Sequence, residues 1–546
     1  MVTQSSVSSR ESTLFAQKVA RSIVEVQPNI NNTADIVVLL ECLGYRVETL
    51  IQYGFENFYT LAKHLYDFID VYETRDKSED LFVKSFTMDL PKVSKRISEG
   101  VGMVFPWLGS LALLFITGVS LWMAMGFPAS VTTAFVAGVF LGVIVTEGTL
   151  QVFNRLFMFY HEPGNIGEVK RLIKRSYLLI GAVLAVALGV VFVVGVFEKI
   201  PLHLIELTMV SAVTVSLHRA SYMIIYTLKK AAILIMSYSI AFSILLSTYY
   251  FGQPLVHSEV TRYFTGLLLA FAALSAFSVY EHYKLTKKIT ETLSGDKPHF
   301  YNPMSRTDKT LKSRFSVQLW EAIPFSLYSV FYVVTMFGDR VLSWIYNPAV
   351  FQSGYGLPMA FNPIYHTGAD MAWLVLLPGS LIQYVMMAPI YIHMNNISLK
   401  IKISESKALD DFILSTYRRV LSVSMLATCL TAIILNVVAP PMMDHAGVPQ
   451  LSIEVLRVAS ISNVFMSLFT VNSVFMMWMN KIKILTMLIM TAAFVVVTVG
   501  VLTVHGGLVN LAFGYLAGTA FIGIISAVYT RKTIRQASSI VFSKMV

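Results

Sequence analysis

Few side chains in this sequence could do chemistry, and those that could are set in apolar surroundings. Glu147 lies well inside the apolar run 131–157. An ionisable group at that depth of a bilayer is costly unless it is paired or wetted. Two roles fit it: a cavity carboxylate that titrates or pairs with a cation, or a helix–helix hydrogen bond. Gln383 sits near the middle of 370–395, five residues after Pro378, which should kink or open that helix. A midplane amide on a bent helix suits a substrate path and equally an interhelical contact. His218 and Arg219 share the cytoplasmic half of 203–228. Arg219 reads as a snorkelling side chain, and His218 as one bonded to a neighbouring helix. Arg155, at the end of its run, snorkels still more readily. Glu321 opens 316–346, Asp339 and Arg340 lie near its far end, and Asn463 and Asn472 read as packing contacts on 452–479.

The missing motifs exclude several classes. There is no GxxxxGK[ST], so a built-in ATP motor has no phosphate cradle. There is no HExxH and no Cys/His cluster to ligate a catalytic metal. Cys42 and Cys429 stand far apart in apolar settings and make neither a disulfide framework nor a metal site. A membrane glycosyltransferase usually places acidic residues in a sizeable first external loop. The loop expected here, Gly126–Ser130, has no acid and no room. Neither an enzyme nor a cofactor is expected.

The elements that must hold these residues are membrane helices. The chain has 546 residues, 55% hydrophobic and only 14% charged, against about 25% charged in a soluble domain. Repeated apolar runs of about 20 residues make it an all-α polytopic membrane protein. The weak alternations of barrel strands are absent. The net charge of +10 reads as basic loops on the cytoplasmic side, not as nucleic-acid binding. Twelve spans are expected, six near 101–125, 131–157, 177–197, 203–228, 231–251 and 261–283, and six near 316–346, 370–395, 412–438, 452–479, 483–504 and 507–530. The polar linker between the halves, 284–314, carries eight Lys/Arg against three acids. The domains are then a cytoplasmic helical region 1–99, a six-helix bundle 100–283, the linker 284–314, a second bundle 315–530 and a cytoplasmic tail 531–546.

The charges test this plan. With the N-terminus inside, the inner connectors beyond residue 99 hold 25 Lys/Arg, while the outer ones and their adjoining span ends hold four: Lys199, Arg262, Arg340 and Arg457. This is the positive-inside pattern; it puts both termini in the cytoplasm and the protein in the cytoplasmic membrane. No apolar signal segment precedes the first span, which must act as its own insertion signal. Each half has a long basic connector between its second and third spans, and a tight basic turn between its fourth and fifth, Lys229–Lys230 and Asn480–Lys483. Six spans per half make the repeat parallel, about an axis along the membrane normal, a plan common in alternating-access transporters. In 1–99, Ile36, Leu39, Leu40, Leu43, Val47, Leu50 and Ile51 recur at helical spacing. Phe58, Leu61, Ala62, Leu65, Phe68, Ile69 and Tyr72 follow suit, with Gly54 between the two sets. This reads as a helical cap on the membrane part, with a partner-binding domain as the alternative.

The external connector Asn347–Gly368 has no Lys or Arg but carries Tyr, Phe, Pro, Asn and His. Such rings suit sugar faces, and suit the bilayer interface as well. Around it the sequence resembles the Pel-type exopolysaccharide exporters, within the superfamily of polysaccharide flippases and multidrug-extrusion antiporters. The shared features are Asp339, Arg340 and Trp344, a Gly-rich connector, Asn362, Pro363 and Tyr365, then Asp370, Met371, Ala372 and Pro378. Outside 338–381 the match rests on topology. The chain departs from that family in its longer first 99 residues, and in Gln383, Met386, Met387 and His393 where charges are expected.

The resemblance implies export of a polysaccharide or lipid-linked saccharide by alternating access, through a cavity lined by 101–157 and 316–395. It makes Glu147, Arg155, Glu321, Asp339, Arg340, Asp370 and Gln383 the binding and gating residues, and it implies a cytoplasmic glycosyltransferase or polymerase partner. On this reading, alanine at Glu147 or Arg340 abolishes transport and spares expression. Two other readings fit the sequence. One is an ion-coupled small-molecule antiporter of the same fold, with Glu147 as coupling carboxylate. The other is a membrane scaffold organised by the N-terminal region.

Overall fold

A computed structural model describes residues 9–26, 33–45, 47–72, 90–122, 127–161, 166–228, 230–294, 315–351, 357–400, 406–445 and 447–542. Among these residues all regular structure is helical. Most of the linker 284–314 lies outside them, as do Gly126 and Lys229; the side chain of His393 is likewise outside the description. By their contacts the residues form two units, Met1–Met88 with Met387–Ser415 and Arg535–Val546, and Asp89–Met386 with Thr416–Ile534.

The first unit contains α1 (Ser9–Val26), α2 (Thr33–Cys42), α3 (Val47–Gln52) and α4 (Phe58–Tyr72). Ala16, Val19, Ala20 and Ile23 line one face of α1 at helical spacing and are buried with Ile36, Leu40, Leu50, Leu61, Ala62 and Leu65. Phe15 stacks on Tyr53 with ring centroids 4.0 Å apart. Gly44 and Gly54 follow α2 and α3 with φ of 77° and 89°, the left-handed geometry that ends a helix and favours glycine. The expected stripe fails at Ile51, which is 57% exposed. Helix α3 has only six residues, and its one inward position goes to Leu50. Phe68, Ile69 and Tyr72 lie outside the described side chains. Beyond Arg535, α18 (Ala537–Phe542) is tied to Asp410, which accepts both the backbone N–H and the hydroxyl of Ser538.

The second unit holds the long helices. In the first half these are α5 (Leu90–Thr117), α6 (Ala129–His161), α7 (Ile166–Phe197), α8 (Leu202–Thr227), α9 (Ala231–Phe251) and α10 (Glu259–Ser294). In the second half they are α11 (Phe315–Ile345), α12 (Pro363–Ala372) continued through a 3-10 turn at Trp373–Val375 into α13 (Leu376–Lys400), α14 (Ser406–His445), α15 (Gln450–Trp478), α16 (Ile482–Thr503) and α17 (Leu511–Ile534). Among the described residues, eleven segments are long and apolar enough to cross a membrane, and each overlaps one of the expected spans. The remaining expected span is α8. It is 26 residues long but carries Glu206, His218 and Arg219, and these lower its apolar character.

The two halves repeat in their packing. In each, the first helix touches the fifth, the second touches the fourth, and the sixth touches both fourth and fifth. The third helix is peripheral in both: only 17% of the α7 and of the α14 span is buried. Their outward faces are apolar, with Val186, Val190 and Phe197 on α7 and Leu426, Ile433 and Val437 on α14. Such faces suit lipid, where apolar surface costs nothing. The second and fourth helices approach backbone to backbone in both halves. A Cβ at Gly142 of α6 would stand 2.8 Å from the Ala212 carbonyl of α8, and one at Gly368 of α12 would overlap the Ser452 carbonyl of α15. Each glycine therefore sets the spacing of a helix pair.

Several helices run past the expected spans, α7 from Ile166, α10 to Ser294 and α14 from Ser406 to His445, and two further boundaries bear on the site. Helix α5 stops at Thr117, well before residue 125. The Thr117 hydroxyl turns back to the Leu113 carbonyl at 2.7 Å, and Gly118 follows with φ of 76° while its N–H reaches the Leu114 carbonyl. The chain then folds inward: Val119, Ser120 and Leu121 are buried, and the Tyr263 hydroxyl donates to the Ser120 carbonyl at 2.8 Å. The longer connector Gly118–Pro128 still holds no acid. The eighth span starts earlier than 370, because Asn362 caps α12 by accepting the Tyr365 N–H and Pro363 occupies the first helical position.

Candidate functional site

A cavity of about 710 Å³ lies between the halves, lined by α5, α6, α8 and α9 from the first and by α11 and α12 from the second. Its lining follows α6 from Val136 to Asn154. At 1.5 Å per residue that is about 27 Å of helix, close to the thickness of a bilayer core. Most of the wall is apolar or aromatic, with rings from Trp107, Trp122, Phe140, Tyr222, Tyr332 and Trp373. The chain break after α5 matters here, since it delivers Ser120 and Trp122 to the wall.

Helices α6 and α11 run against each other along this wall and join the halves. At one end Phe140 meets Phe337 edge-on at 5.1 Å, and the Phe361 N–H donates to the Thr133 hydroxyl at 2.8 Å. At the other, Phe153 and Phe157 pack in one cluster with Ala322. Between them, Gly148 lets Ser326 approach so closely that a Cβ would stand 2.5 Å from its oxygen.

Glu147 occupies the middle of this line. It faces the cavity and accepts hydrogen bonds from Arg219 of α8, and from Ser329 of α11 at 2.5 Å. Both arrangements read from the sequence are present in the geometry: the carboxylate faces the cavity beside a cation, and it bonds between helices. Arg219 does not snorkel. It faces the cavity beside His218, because the pair with Glu147 replaces the water a snorkelling head group would seek. His218 is bonded to its neighbouring helix as expected, its Nε2 lying 2.7 Å from the Tyr238 hydroxyl of α9.

The second polar group is built on α11 and α12. Arg340 donates from Nε to Asp370 at 2.9 Å and from Nη1 to Asp339 at 3.2 Å and to the Met336 carbonyl at 3.0 Å. Its guanidinium carbon stands 4.5 Å from the Trp373 ring centroid, a cation–π contact. The Tyr365 hydroxyl donates to the other Asp339 oxygen at 2.8 Å. His366 joins through Asp370, 3.2 Å from its Nδ1, and accepts the Trp344 indole N–H on Nε2 at 2.9 Å. Asp370, His366, Trp344 and Trp373 face the cavity. Asp339 and Arg340 do not: both are fully buried inside the second half.

Of the seven site residues expected from sequence, Glu147 and Asp370 line the cavity. Asp339 and Arg340 stand one layer behind it. Gln383 is buried and donates to the Thr470 hydroxyl of α15 at 3.3 Å, which is the interhelical alternative. Arg155 and Glu321 are exposed and away from the cavity. The Arg155 guanidinium lies 5.3 Å from the Phe325 ring centroid, holding α6 against α11. The break expected at Pro378 falls one turn earlier, at Trp373–Val375, because Pro378 has no N–H to close that turn. The Ala372 carbonyl at the head of this turn also accepts from Asn463 of α15 at 2.7 Å. Asn463 also accepts the Tyr515 hydroxyl, and Asn472 donates to Ser526, so both are packing contacts. Sequence reasoning did not make Trp344 or His366 site residues, although Trp344 is among the residues of the resemblance and His366 lies in the aromatic connector. It missed the wall rings of the first half, Trp107, Trp122, Phe140 and Tyr222, for which no local signal stood out.

No family model matches the chain, and no curated protein matches it. Solved structures do. A MATE protein in the bent conformation matches at TM-score 0.51 and 13% identity, over 85% of this chain and 97% of that one. An inward-facing multidrug resistance MATE family transporter of the MOP superfamily gives 0.51 and 13%, over 85% and 99%. Its outward-facing form gives 0.50 and 13%, over 85% and 100%. At this identity the likeness establishes a MATE-type fold, and it extends to both conformations alike.

Proposed function

We propose that this protein is an alternating-access transporter of the cytoplasmic membrane, with both termini in the cytoplasm, and that its solute is a saccharide or lipid-linked saccharide. The observation that carries the solute class is the pairing of both cavity carboxylates. Glu147 is paired with Arg219, and Asp370 with Arg340, which it shares with the buried Asp339, so among the described residues neither wall carboxylate faces the cavity without a cation beside it. The wall offers stacked and edge-on rings with hydroxyls between them, the surface a sugar uses when it stacks its apolar face and hydrogen-bonds at its rim. A cavity of this volume is of ligand size. The fold supports the transport half of the reading, since related structures are known facing either way. Transport needs no covalent step here; Glu147 and Asp370 act as binding and gating groups.

The second reading is an ion-coupled small-molecule antiporter. It is favoured by the multidrug resistance transporters among the structural matches. Surface carbohydrate on cells lacking the protein, against cells complemented by wild type, separates the two. A polysaccharide lost and restored supports the exporter. Unchanged carbohydrate, together with gradient-driven efflux of organic cations from proteoliposomes, replaces it by the antiporter. A cytoplasmic glycosyltransferase or polymerase partner belongs to the first reading only and would be sought by crosslinking to the first unit.

A further inference from the structure

The group around Arg340 is one positive charge short. Asp339 and Asp370 each accept a hydrogen bond from the same guanidinium, and Arg340 and Asp339 have no exposed surface. A buried net charge is costly, and a proton is the cheapest remedy. The structure says where a proton would go. The indole nitrogen of Trp344 can only donate, so His366 Nε2, 2.9 Å away, accepts. The one ring hydrogen therefore sits on Nδ1, facing Asp370, and the free place is Nε2 itself. A proton there would set two donors against each other, and the indole would have to leave. Trp344 is no isolated ring: it packs edge-on against Phe140 of α6 at 6.0 Å and beside Phe361 at 5.9 Å.

We propose that His366 and Asp370 form a proton site on the cavity wall, and that protonation at Nε2 drives Trp344 off His366 and loosens its contact with Phe140 across the line between the halves. The site is reachable, since both residues face the cavity. Its surroundings from every packed element are accounted for among the described residues. Helix α11 presents Asp339, Arg340 and Trp344, and α17 presents Tyr515, whose hydroxyl is engaged by Asn463. Helix α15 presents Ser452, Val455 and Leu456, none ionisable. Helix α6 presents Phe140 and Thr133. The proton site stands on this geometry; only its coupling to solute movement rests on the transporter reading.

The test is an acid titration of tryptophan fluorescence on the purified full chain in detergent. Wild type should show one reversible step, from the loss of the Trp344–His366 bond and quenching of the indole by imidazolium. Trp344→Phe should remove that step by removing the reporter. His366→Gln should remove it by removing the base. The other tryptophans are unchanged in both variants, so the wild-type minus Trp344→Phe difference isolates the signal. A wild-type titration that is flat with pH overturns the proposal without any variant needing to fold. So does a step that persists in folded His366→Gln. A step that is present while proteoliposomes move no solute at any pH keeps the proton site and removes the transporter reading. Flux with a flat titration does the reverse.

Discussion

Ser329 of α11 donates its hydroxyl to Glu147 of α6 at 2.5 Å, while Arg219 of α8 holds the other oxygen of the same carboxylate. One side chain thus carries an ion pair within the first half and a hydrogen bond to the second. Rocking of the halves would have to break the Ser329 bond and could leave the ion pair whole. Glu147→Ala strands Arg219 in a wall that is mostly apolar. We expect it to cost about 1–3 kcal/mol, less than a fully buried pair because both side chains touch the cavity. The double variant Glu147→Ala/Arg219→Ala should recover most of that loss in detergent melting, and transport should fall at least tenfold in both. Equal melting losses that simply add in the double variant would show that the two side chains are not coupled.

Arg340 must be treated differently. Alanine at this position leaves the fully buried Asp339 and the cavity-facing Asp370 without a cation, a loss of about 3–5 kcal/mol. The expected result is little folded protein, in contrast to the sequence expectation that expression would survive. Arg340→Lys keeps the charge but loses the fork and the stacking on Trp373, and should give an intermediate yield by fluorescence-detected size exclusion. Wild-type yield from Arg340→Ala would mean that the group is not paired as described.

How much of this was legible in the sequence follows from what each feature depends on. The spans were, because a run of apolar residues is a local property and the helix ends fell near its edges. The exception, α5, ends early at a local signal, Thr117 followed by Gly118, that an apolar count passes over. The polar residues were located but not assigned. Arg219 near the end of a span looks the same whether it snorkels or pairs; its partner is 72 residues away on α6, and only the α6–α8 contact brings them together. Asp339 and Arg340 were named as binding and gating residues on the family resemblance, which does not fix the way a helix faces. The facing of a helix is set by tertiary packing, and here it turns them inward to α12 and α17. Glu321 and Arg155 turn away from the cavity as exposed charges, Arg155 against the Phe325 ring.

Gly148 gives a test of the line between the halves. A side chain there meets Ser326 and Val330 of α11, with Ser326 Oγ 2.5 Å and Val330 Cγ2 3.2 Å from a Cβ. Gly148→Val should wedge α6 from α11 and stop transport while each half stays folded. Gly181 and Gly189 of α7 have nothing within 4 Å, so alanine at either should leave transport unchanged and stabilise by up to about 0.5–1 kcal/mol through helix propensity. Transport at wild-type rate in a well-folded Gly148→Val protein would mean that the halves do not move along this contact.

Asn463 is the support of the broken eighth span. Within a bilayer, the backbone groups at a helix break must find their partners within the protein. Here the Ala372 carbonyl takes the Asn463 amide at 2.7 Å, and the amide oxygen takes the Tyr515 hydroxyl at 2.7 Å. The same break aims Asp370, on the α12 side, at the cavity, while Gln383, on the α13 side, turns to α15. Asn463→Ala takes one hydrogen bond from the Ala372 carbonyl, which keeps its place at the head of the 3-10 turn, and leaves the buried Tyr515 hydroxyl only the Met336 sulfur at 3.3 Å, at about 1 kcal/mol each. The midpoint of thermal unfolding should fall accordingly. Tyr515→Phe alone removes a hydroxyl together with its need for a partner, and should cost far less. Asn463→Asp can still accept from Tyr515 but cannot donate to Ala372, so it should lie nearer the alanine variant than wild type. If Asn463→Asp instead melts like wild type, the Ala372 carbonyl is satisfied by some other group and the break does not depend on α15.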